Sequence, residues 1–290
     1  FKFNLKIGGE ILEADFRNLA EQANGSCFLR YGDTMVLSTC VMGEPREGID
    51  FFPLTVEYEE KYYAAGKIKG ARYIKREGRP SDEAICNGRL IDRAIRPRFL
   101  KDFKNEIQVI ATVLSWDGKN DPDIVALIAS SLALSISDIP WEGPVSAVRV
   151  GRVNKKFILN PSYEEREKSD LDIVFAGILN KKGEVIINMI EGNFEEVEEP
   201  VILEAFSFAK EPLKQLILFQ QEISKKIGKE KVKIIPPQKD IEYEKELKKF
   251  LEKKLESAFF VEDKNKRVEA MNALKESLIS FVEEKYSEEQ

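Results

Sequence analysis

The sequence predicts a mixed α/β core built in two halves, followed by an all-helical domain. Apolar and polar residues alternate through residues 1 to about 60 and again after Pro140, which is typical of strands that bury one face. Helical segments follow the strands in each half. From about Ala209 every segment has helical periodicity, apart from a break at Pro236-Pro237. We therefore expect three regions, at residues 1–140, 141–208 and 209–290.

The first half is expected to form antiparallel strands joined by tight turns. The strand segments are FKFNLKI, ILEADF, CFLRYGDTMVLSTCVM and FFPLTVEY. Gly32-Asp33 is a hairpin-turn signal inside the third of these. A later strand, IQVIATVLSW, precedes the turn DGKNDPD, where Asp121 is the expected N-cap and Pro122 the first residue of an apolar helix.

A charged helix is expected between FFPLTVEY and IQVIATVLSW. Ser81 can N-cap it, and the acidic residues that follow suit the positive end of the helix dipole. Pro97 marks its end. Three arginines recur at i, i+4 and i+7 on one stripe, opposite an apolar stripe: Arg89, Arg93 and Arg96.

The second half repeats the strand-rich pattern before the helical tail. Its strand segments are PVSAVRVG, KFILNP, LDIVFAGI and EVIINMI, and helical sequence follows from Glu195. The tail contains IEYEKELKKFLEKKLESAF and KNKRVEAMNALKESLISFVEEKY. These segments predict a separate helical domain.

Composition places the chain among ordinary soluble globular proteins. Its 290 residues are 43% hydrophobic and 33% charged, with a formal net charge of -6. The longest apolar run is too short to span a membrane, so no membrane partner is expected. Histidine is absent, which excludes histidine-based triads, general bases and metal ligands. The three cysteines lack paired spacing, which favours reduced thiols and a cytoplasmic location.

One segment carries most of the positive charge. Residues 61–104 contain 13 basic and 5 acidic residues, a local charge of +8 in an acidic chain. Within it, the stretch YIKREGRP places Lys75, Arg76 and Arg79 within five positions. Such a patch favours a localised polyanion contact, and phosphates would relieve the repulsion along the arginine stripe. The alternatives are a solvated charged face and a structural network of salt bridges.

Familiar catalytic motifs are missing. No G-x-x-x-x-G-K-[ST] motif is present, which argues against a small-molecule phosphotransferase of that class. Asp170 and Asp172 alternate on an expected strand and share one face. A pair of acids at a strand start is more often an edge or turn feature than a magnesium site.

Several segments closely resemble the first half of bacterial polynucleotide phosphorylases. They include DFFPLTVEYEEKYYAAGKI, KREGRPSD, GRLIDRAIRPRF, NEIQVIATVLS, NDPDIVALIASSLALSISDIPWEGPVSAVRVG and EGNFEEV. The resemblance implies a ribonuclease PH-like two-part α/β core followed by part of an all-α linker domain. It also implies a truncated chain, because that family has a second core and further RNA-binding modules.

The family resemblance implies a phosphorolytic 3′-5′ exoribonuclease. Its members form homotrimers in which phosphate attacks single-stranded RNA and releases nucleoside diphosphates, with Mg²⁺ or Mn²⁺ assisting. RNA-degradation complex proteins are further implied partners. The catalytic site belongs to the second core, so no catalytic residue and no bound metal is expected in this chain. Here Asp172 is retained, but Val174 stands where the second core has a functional lysine. We therefore expect this chain alone to be inactive.

The family also implies roles for the basic loop. An aromatic-aromatic-basic-basic motif that holds RNA corresponds here to Tyr73, Ile74, Lys75 and Arg76, so stacking would depend on Tyr73 alone. The expected RNA-binding residues are Tyr73, Lys75, Arg76, Arg79, Arg89, Arg93 and Arg96. For the last three, salt bridges between subunits are an open alternative. A stand-alone RNA-binding or scaffold protein of the same fold is the alternative to an enzyme fragment.

Overall fold

The computed structural model describes residues 1–17, 19–45, 48–49, 51–68, 78–100, 103–233 and 241–286. The chain divides into two compact units, Phe1–Ile234 and Ile235–Gln290, and each is described by itself.

A six-stranded sheet forms the first half of the α/β unit. Its strands are β1 Lys2–Ile7, β2 Glu10–Asp15, β3 Gly25–Tyr31, β4 Thr34–Pro45, β5 Leu54–Glu60 and β6 Asn105–Ser115. They lie in the order β1-β2-β3-β4-β6-β5, and all neighbours are antiparallel except β5 and β6. Parallel neighbours need a crossover connection, and α1 (Asp82–Ile95) lies within it.

The hairpin turn expected at Gly32-Asp33 is confirmed. Tyr31 pairs with Thr34, and Gly32 has a φ of 60°, a left-handed conformation that glycine adopts without steric cost. A Cβ at this position would also lie 2.4 Å from the side-chain nitrogen of Asn120. Glycine therefore lets the hairpin pack tightly against the turn that follows β6.

The helix α2 (Pro122–Ile136) forms the centre of the core. Asp121 is its N-cap, as expected, and accepts a hydrogen bond from the backbone nitrogen of Asp123. Nearly every residue of α2 is buried, because the helix packs between the first sheet and the elements of the second half. A helix that is apolar all round has to be buried in this way.

A four-stranded antiparallel sheet forms the second half. Its strands are β7 Ser146–Val153, β8 Lys156–Leu159, β9 Leu171–Leu179 and β10 Val185–Phe194, in the order β10-β9-β7-β8. The short helix α3 (Tyr163–Arg166) lies between β8 and β9.

The domain boundary expected at residue 209 is not a boundary in the structure. Residue 209 lies in the middle of α4 (Glu199–Ile227), which packs on β7, β9 and α2. The buried residues of α4 include Ala205, Ala209, Leu213 and Ile223. Its apolar stripe thus completes the core of the α/β unit, which extends to Ile234.

The described part of the second unit consists of two helices, α5 (Ile241–Phe259) and α6 (Lys264–Lys285). Phe250 stacks on Phe281 with ring centroids 4.5 Å apart, and Lys285 pairs with Glu246 at 2.6 Å. Among the described residues, no helix of either unit has both the length and the apolar character needed to cross a bilayer.

Candidate functional site

The residues expected to bind RNA fall into two groups. Tyr73, Lys75 and Arg76 lie in residues 69–77, outside the described part of the chain. The other four, Arg79, Arg89, Arg93 and Arg96, are described, and their surroundings differ.

The helix α1 presents these arginines on a rigid base. Ser81 is the N-cap, as expected, and its hydroxyl accepts a hydrogen bond from the backbone nitrogen of Ala84 at 3.1 Å. The apolar face of α1 packs on β5, and Gly88 permits this approach, since a Cβ there would lie 3.4 Å from the carbonyl oxygen of Val56. The opposite face is left for the charged side chains.

Arg96 is held by groups of its own chain. Its Nη2 atom donates to Asp92 at 2.7 Å and to the carbonyl oxygen of Leu54 at 3.0 Å. Its Nη1 atom donates to the carbonyl oxygen of Phe52 at 3.3 Å. These contacts tie the end of α1 to the start of β5, so a structural role accounts for Arg96.

Arg93 connects α1 to the second sheet. It pairs with Glu191 of β10 and donates to the carbonyl oxygen of Ile190 at 3.2 Å. Both side chains are about half exposed, so this pair is screened by solvent and contributes little to stability.

Arg79 and Arg89 are the accessible cations of the expected site. Both are exposed, and within the described part of the chain neither has an ion pair or a side-chain hydrogen bond. They line a groove of about 1270 Å³ whose walls come from β5, α1 and the turn after β6. Lys67, Trp116 and Tyr163 also line it.

The groove has acidic residues too, but several are already engaged. Glu59 pairs with Lys61 at 2.9 Å, Glu60 accepts from the Tyr58 hydroxyl at 3.0 Å, and Asp92 holds Arg96. Glu57 and Glu83 complete the acidic lining. Arg79 and Arg89 can therefore form new charge-assisted hydrogen bonds to an anion.

A second cluster of charges lies beyond the groove, at the N-terminus of α2. We call it the paired-carboxylate cluster; its members are Asp121, Asp123, Asp172, Arg149 and Arg166. Arg149 is only 8% exposed. It contacts Asp123, lies 2.7 Å from Asp172 and 3.4 Å from Asp121. Arg166 contacts Asp121 and lies 2.7 Å from Asp172.

Protonation of this cluster is unusual because three carboxylates share two guanidinium groups. Burial, followed by the charge of Asp121, raises the pKa of Asp123 to about 7. The Nε atom of Arg149 is buried without a hydrogen-bond partner among the described residues. The cluster is therefore held together by ion pairs, and its buried member Asp123 takes up a proton more easily than an ordinary aspartate.

The paired carboxylates do not fit the divalent metal that the family resemblance implies for the complete enzyme. Each of the three carboxylates has at least one oxygen atom engaged by an arginine, and Asp170 is similarly paired with Arg152 at 2.5 Å. Among the described residues, no group of three or more suitable side chains could hold a metal ion. Asp170 and Asp172, at the start of β9, both pair with arginines, and their assignment as structural residues stays a prediction.

Residue 174 is the position at which the family resemblance implies a functional lysine in the second core. Val174 is buried and pairs directly with Arg149 on the neighbouring strand. The positive charge at this place thus comes from Arg149, which is turned toward the carboxylates. Sequence reasoning missed Arg149 and Arg166, although a single arginine in the apolar segment SAVRV was a signal of a buried ion pair.

Comparisons with known proteins agree with this architecture. Residues 12–140 match the model of the 3′ exoribonuclease family, domain 1, and residues 143–211 match domain 2 of the same family. A polyribonucleotide nucleotidyltransferase of Bacillus cytotoxicus is 46% identical over 282 residues, covering 97% of this chain and 39% of the relative. One from Alkaliphilus oremlandii is 46% identical over 288 residues, covering 99% of this chain and 40% of the relative.

A solved structure shares the fold. Rice Rrp46 superposes with a TM-score of 0.54 at 16% sequence identity, covering 74% of this chain and 92% of that one. The chain spans about 40% of the length of the curated relatives it matches.

Proposed function

Because the chain belongs to the 3′ exoribonuclease family, with a ribonuclease PH-like α/β core, we propose that it is the RNA-holding, non-catalytic part of a phosphorolytic 3′-5′ exoribonuclease. The observation that carries this proposal is a contrast between two charged sites. Arg79 and Arg89 are accessible on an open groove, whereas the carboxylates of the paired-carboxylate cluster are neutralised by arginines.

Cations without partners among the described residues are suited to phosphates. Arg79 and Arg89 would bind the RNA backbone without reading its sequence, because phosphate contacts depend on charge and not on base identity. Tyr73, Lys75 and Arg76 remain proposed RNA-binding residues on the family resemblance, and they lie outside the described residues. Arg93 and Arg96 contribute mainly to structure in this proposal, since groups of the same chain already hold them.

The complete protein would supply what this chain lacks. We assign to it the reversible phosphorolysis of RNA to nucleoside diphosphates, with Mg²⁺ or Mn²⁺, a homotrimeric assembly and contacts with RNA-degradation complex proteins. The two helices of the second unit would be part of an all-helical linker domain. Free cysteines at positions 27, 40 and 86 support a reducing, cytoplasmic location.

The test is RNA binding as a function of salt. The double variant Arg79→Ala/Arg89→Ala should bind a fluorescent oligo(A) more weakly than the unmodified chain. The slope of log affinity against log salt should fall by up to about 1.4, since each phosphate contact on single-stranded RNA contributes about 0.7. Lys181→Ala/Lys182→Ala removes the same charge from an exposed turn outside the groove and should change neither quantity. Equal effects of the two double variants would contradict the proposed site.

A further inference from the structure

The two tryptophans of the chain have opposite environments. Trp141 is 7% exposed, and its ring nitrogen donates to the carbonyl oxygen of Ile95 at 3.1 Å. Trp116 is 37% exposed, and its ring nitrogen has no acceptor among the described residues. A buried tryptophan usually satisfies its ring N–H within the protein, as Trp141 does, whereas Trp116 leaves part of its ring and its ring nitrogen accessible to a ligand.

Trp116 is nevertheless held in place. It directly follows β6, and its backbone nitrogen donates to the carbonyl oxygen of Ala64 at 2.9 Å. The indole packs against Tyr163 in a T-shaped pair, with ring centroids 5.7 Å apart and planes at 84°. Tyr163 in turn lies against the guanidinium group of Arg166, 5.4 Å from its ring centroid. The paired-carboxylate cluster therefore supports the indole through Arg166 and Tyr163.

The exposed part of this indole lies on the same groove as the two accessible cations. Trp116, Arg79 and Arg89 all line it. Accessible cations for the phosphates, combined with an aromatic surface for a base, are the usual means of binding single-stranded nucleic acid without sequence preference.

We propose that Trp116 stacks on one base of single-stranded RNA whose phosphates are held by Arg79 and Arg89. This inference rests on the proposed RNA-binding function. It assigns a distinct task to each group: the arginines supply salt-dependent affinity, and the indole supplies affinity that is nearly independent of salt. Because every base has an aromatic face, Trp116 adds affinity without strong sequence preference.

Tryptophan fluorescence tests the proposal directly. In the variant Trp141→Phe, Trp116 is the only indole, and binding of a short oligo(A) should quench its emission. An abasic oligonucleotide of the same length has the phosphates without the bases and should bind without quenching. Binding of oligo(A) without any change in Trp116 emission would overturn the proposal. If Trp141→Phe destabilises the fold, the same quenching can be measured in the unmodified chain.

Affinity measurements separate stacking from a structural role. Trp116→Ala should weaken oligo(A) binding about fivefold or more, since one stacked base contributes about 1–3 kcal/mol. Its salt slope and its affinity for the abasic oligonucleotide should match those of the unmodified chain, and Trp116→Phe should recover part of the loss. Unchanged oligo(A) affinity in Trp116→Ala would refute the stacking role of Trp116 but not the RNA-binding function. Failure of the unmodified chain to bind any oligonucleotide would refute the RNA-binding function as well.

Discussion

The substitution Arg149→Met tests whether ion pairs hold the paired-carboxylate cluster together. It removes a guanidinium group that is 8% exposed and contacts three carboxylates, while methionine keeps much of the apolar stem. Among the described residues, Asp121 and Asp172 are then left with Arg166 alone. Asp123, only 2% exposed, loses its sole ion pair among the described residues.

The expected cost at about pH 8 is about 3–5 kcal/mol of unfolding free energy, the usual penalty for leaving a buried charge uncompensated. The cost should fall on acidification. The pKa of Asp123 is already raised to about 7 by burial and by Asp121, and loss of Arg149 raises it further. At about pH 5 the carboxyl group is therefore neutral in the folded variant, which relieves the unpaired charge.

Urea unfolding followed by tryptophan fluorescence measures this cost, because Trp116 and Trp141 both report on the α/β unit. Arg152→Met on the same strand is the matched control. Its partner Asp170 is 38% exposed, so the loss there should stay below about 1 kcal/mol. If Arg149→Met loses no more unfolding free energy than Arg152→Met does, or if its loss does not change with pH, ion pairs do not hold the cluster together.

Two further predictions concern stability. The unfolding free energy of the unmodified chain should fall by about 2–3 kcal/mol as pH rises from about 5 to about 8, because the folded-state pKa of Asp123 lies above its unfolded value of 3.8. The chain has no histidine to titrate in this window, and a pH-independent urea midpoint, or an equal slope in Asp123→Asn, would contradict the prediction. Lys231→Met should lower the unfolding free energy by about 1–3 kcal/mol and speed amide exchange at the end of α2. The reason is that the Lys231 ammonium group donates to three carbonyl oxygens there: those of Leu134 and Ser137 at 2.7 Å and that of Ser135 at 3.2 Å. Lys233→Met, at an exposed position two residues away, should leave both quantities unchanged.

Features that depend only on residues close together in the sequence were predictable. The turn at Gly32-Asp33 and the N-caps Ser81 and Asp121 lie where expected, since each is determined by local backbone chemistry. The α/β core followed from strand periodicity and is confirmed. The boundary at residue 209 was wrong because periodicity identifies the apolar stripe of α4 but not the surface that buries it.

Partners that are distant in sequence could not be predicted. Arg93 and Glu191 are 98 residues apart, and only the folded chain brings them together. Arg149 lies on β7, whereas its partners Asp123 and Asp172 lie on α2 and β9. The arginine stripe on α1 therefore looked uniform in the sequence, whereas the structure divides it into held and accessible side chains.

The most direct test of the central claim is an assay for nucleoside diphosphate release by the purified chain. Oligo(A) would be bound to saturation and incubated with inorganic phosphate and Mg²⁺. We predict that the RNA stays bound at full length and that no ADP forms, because the carboxylates that could act in catalysis are paired with Arg149 and Arg166. Phosphate-dependent shortening of the RNA with release of ADP would contradict this account.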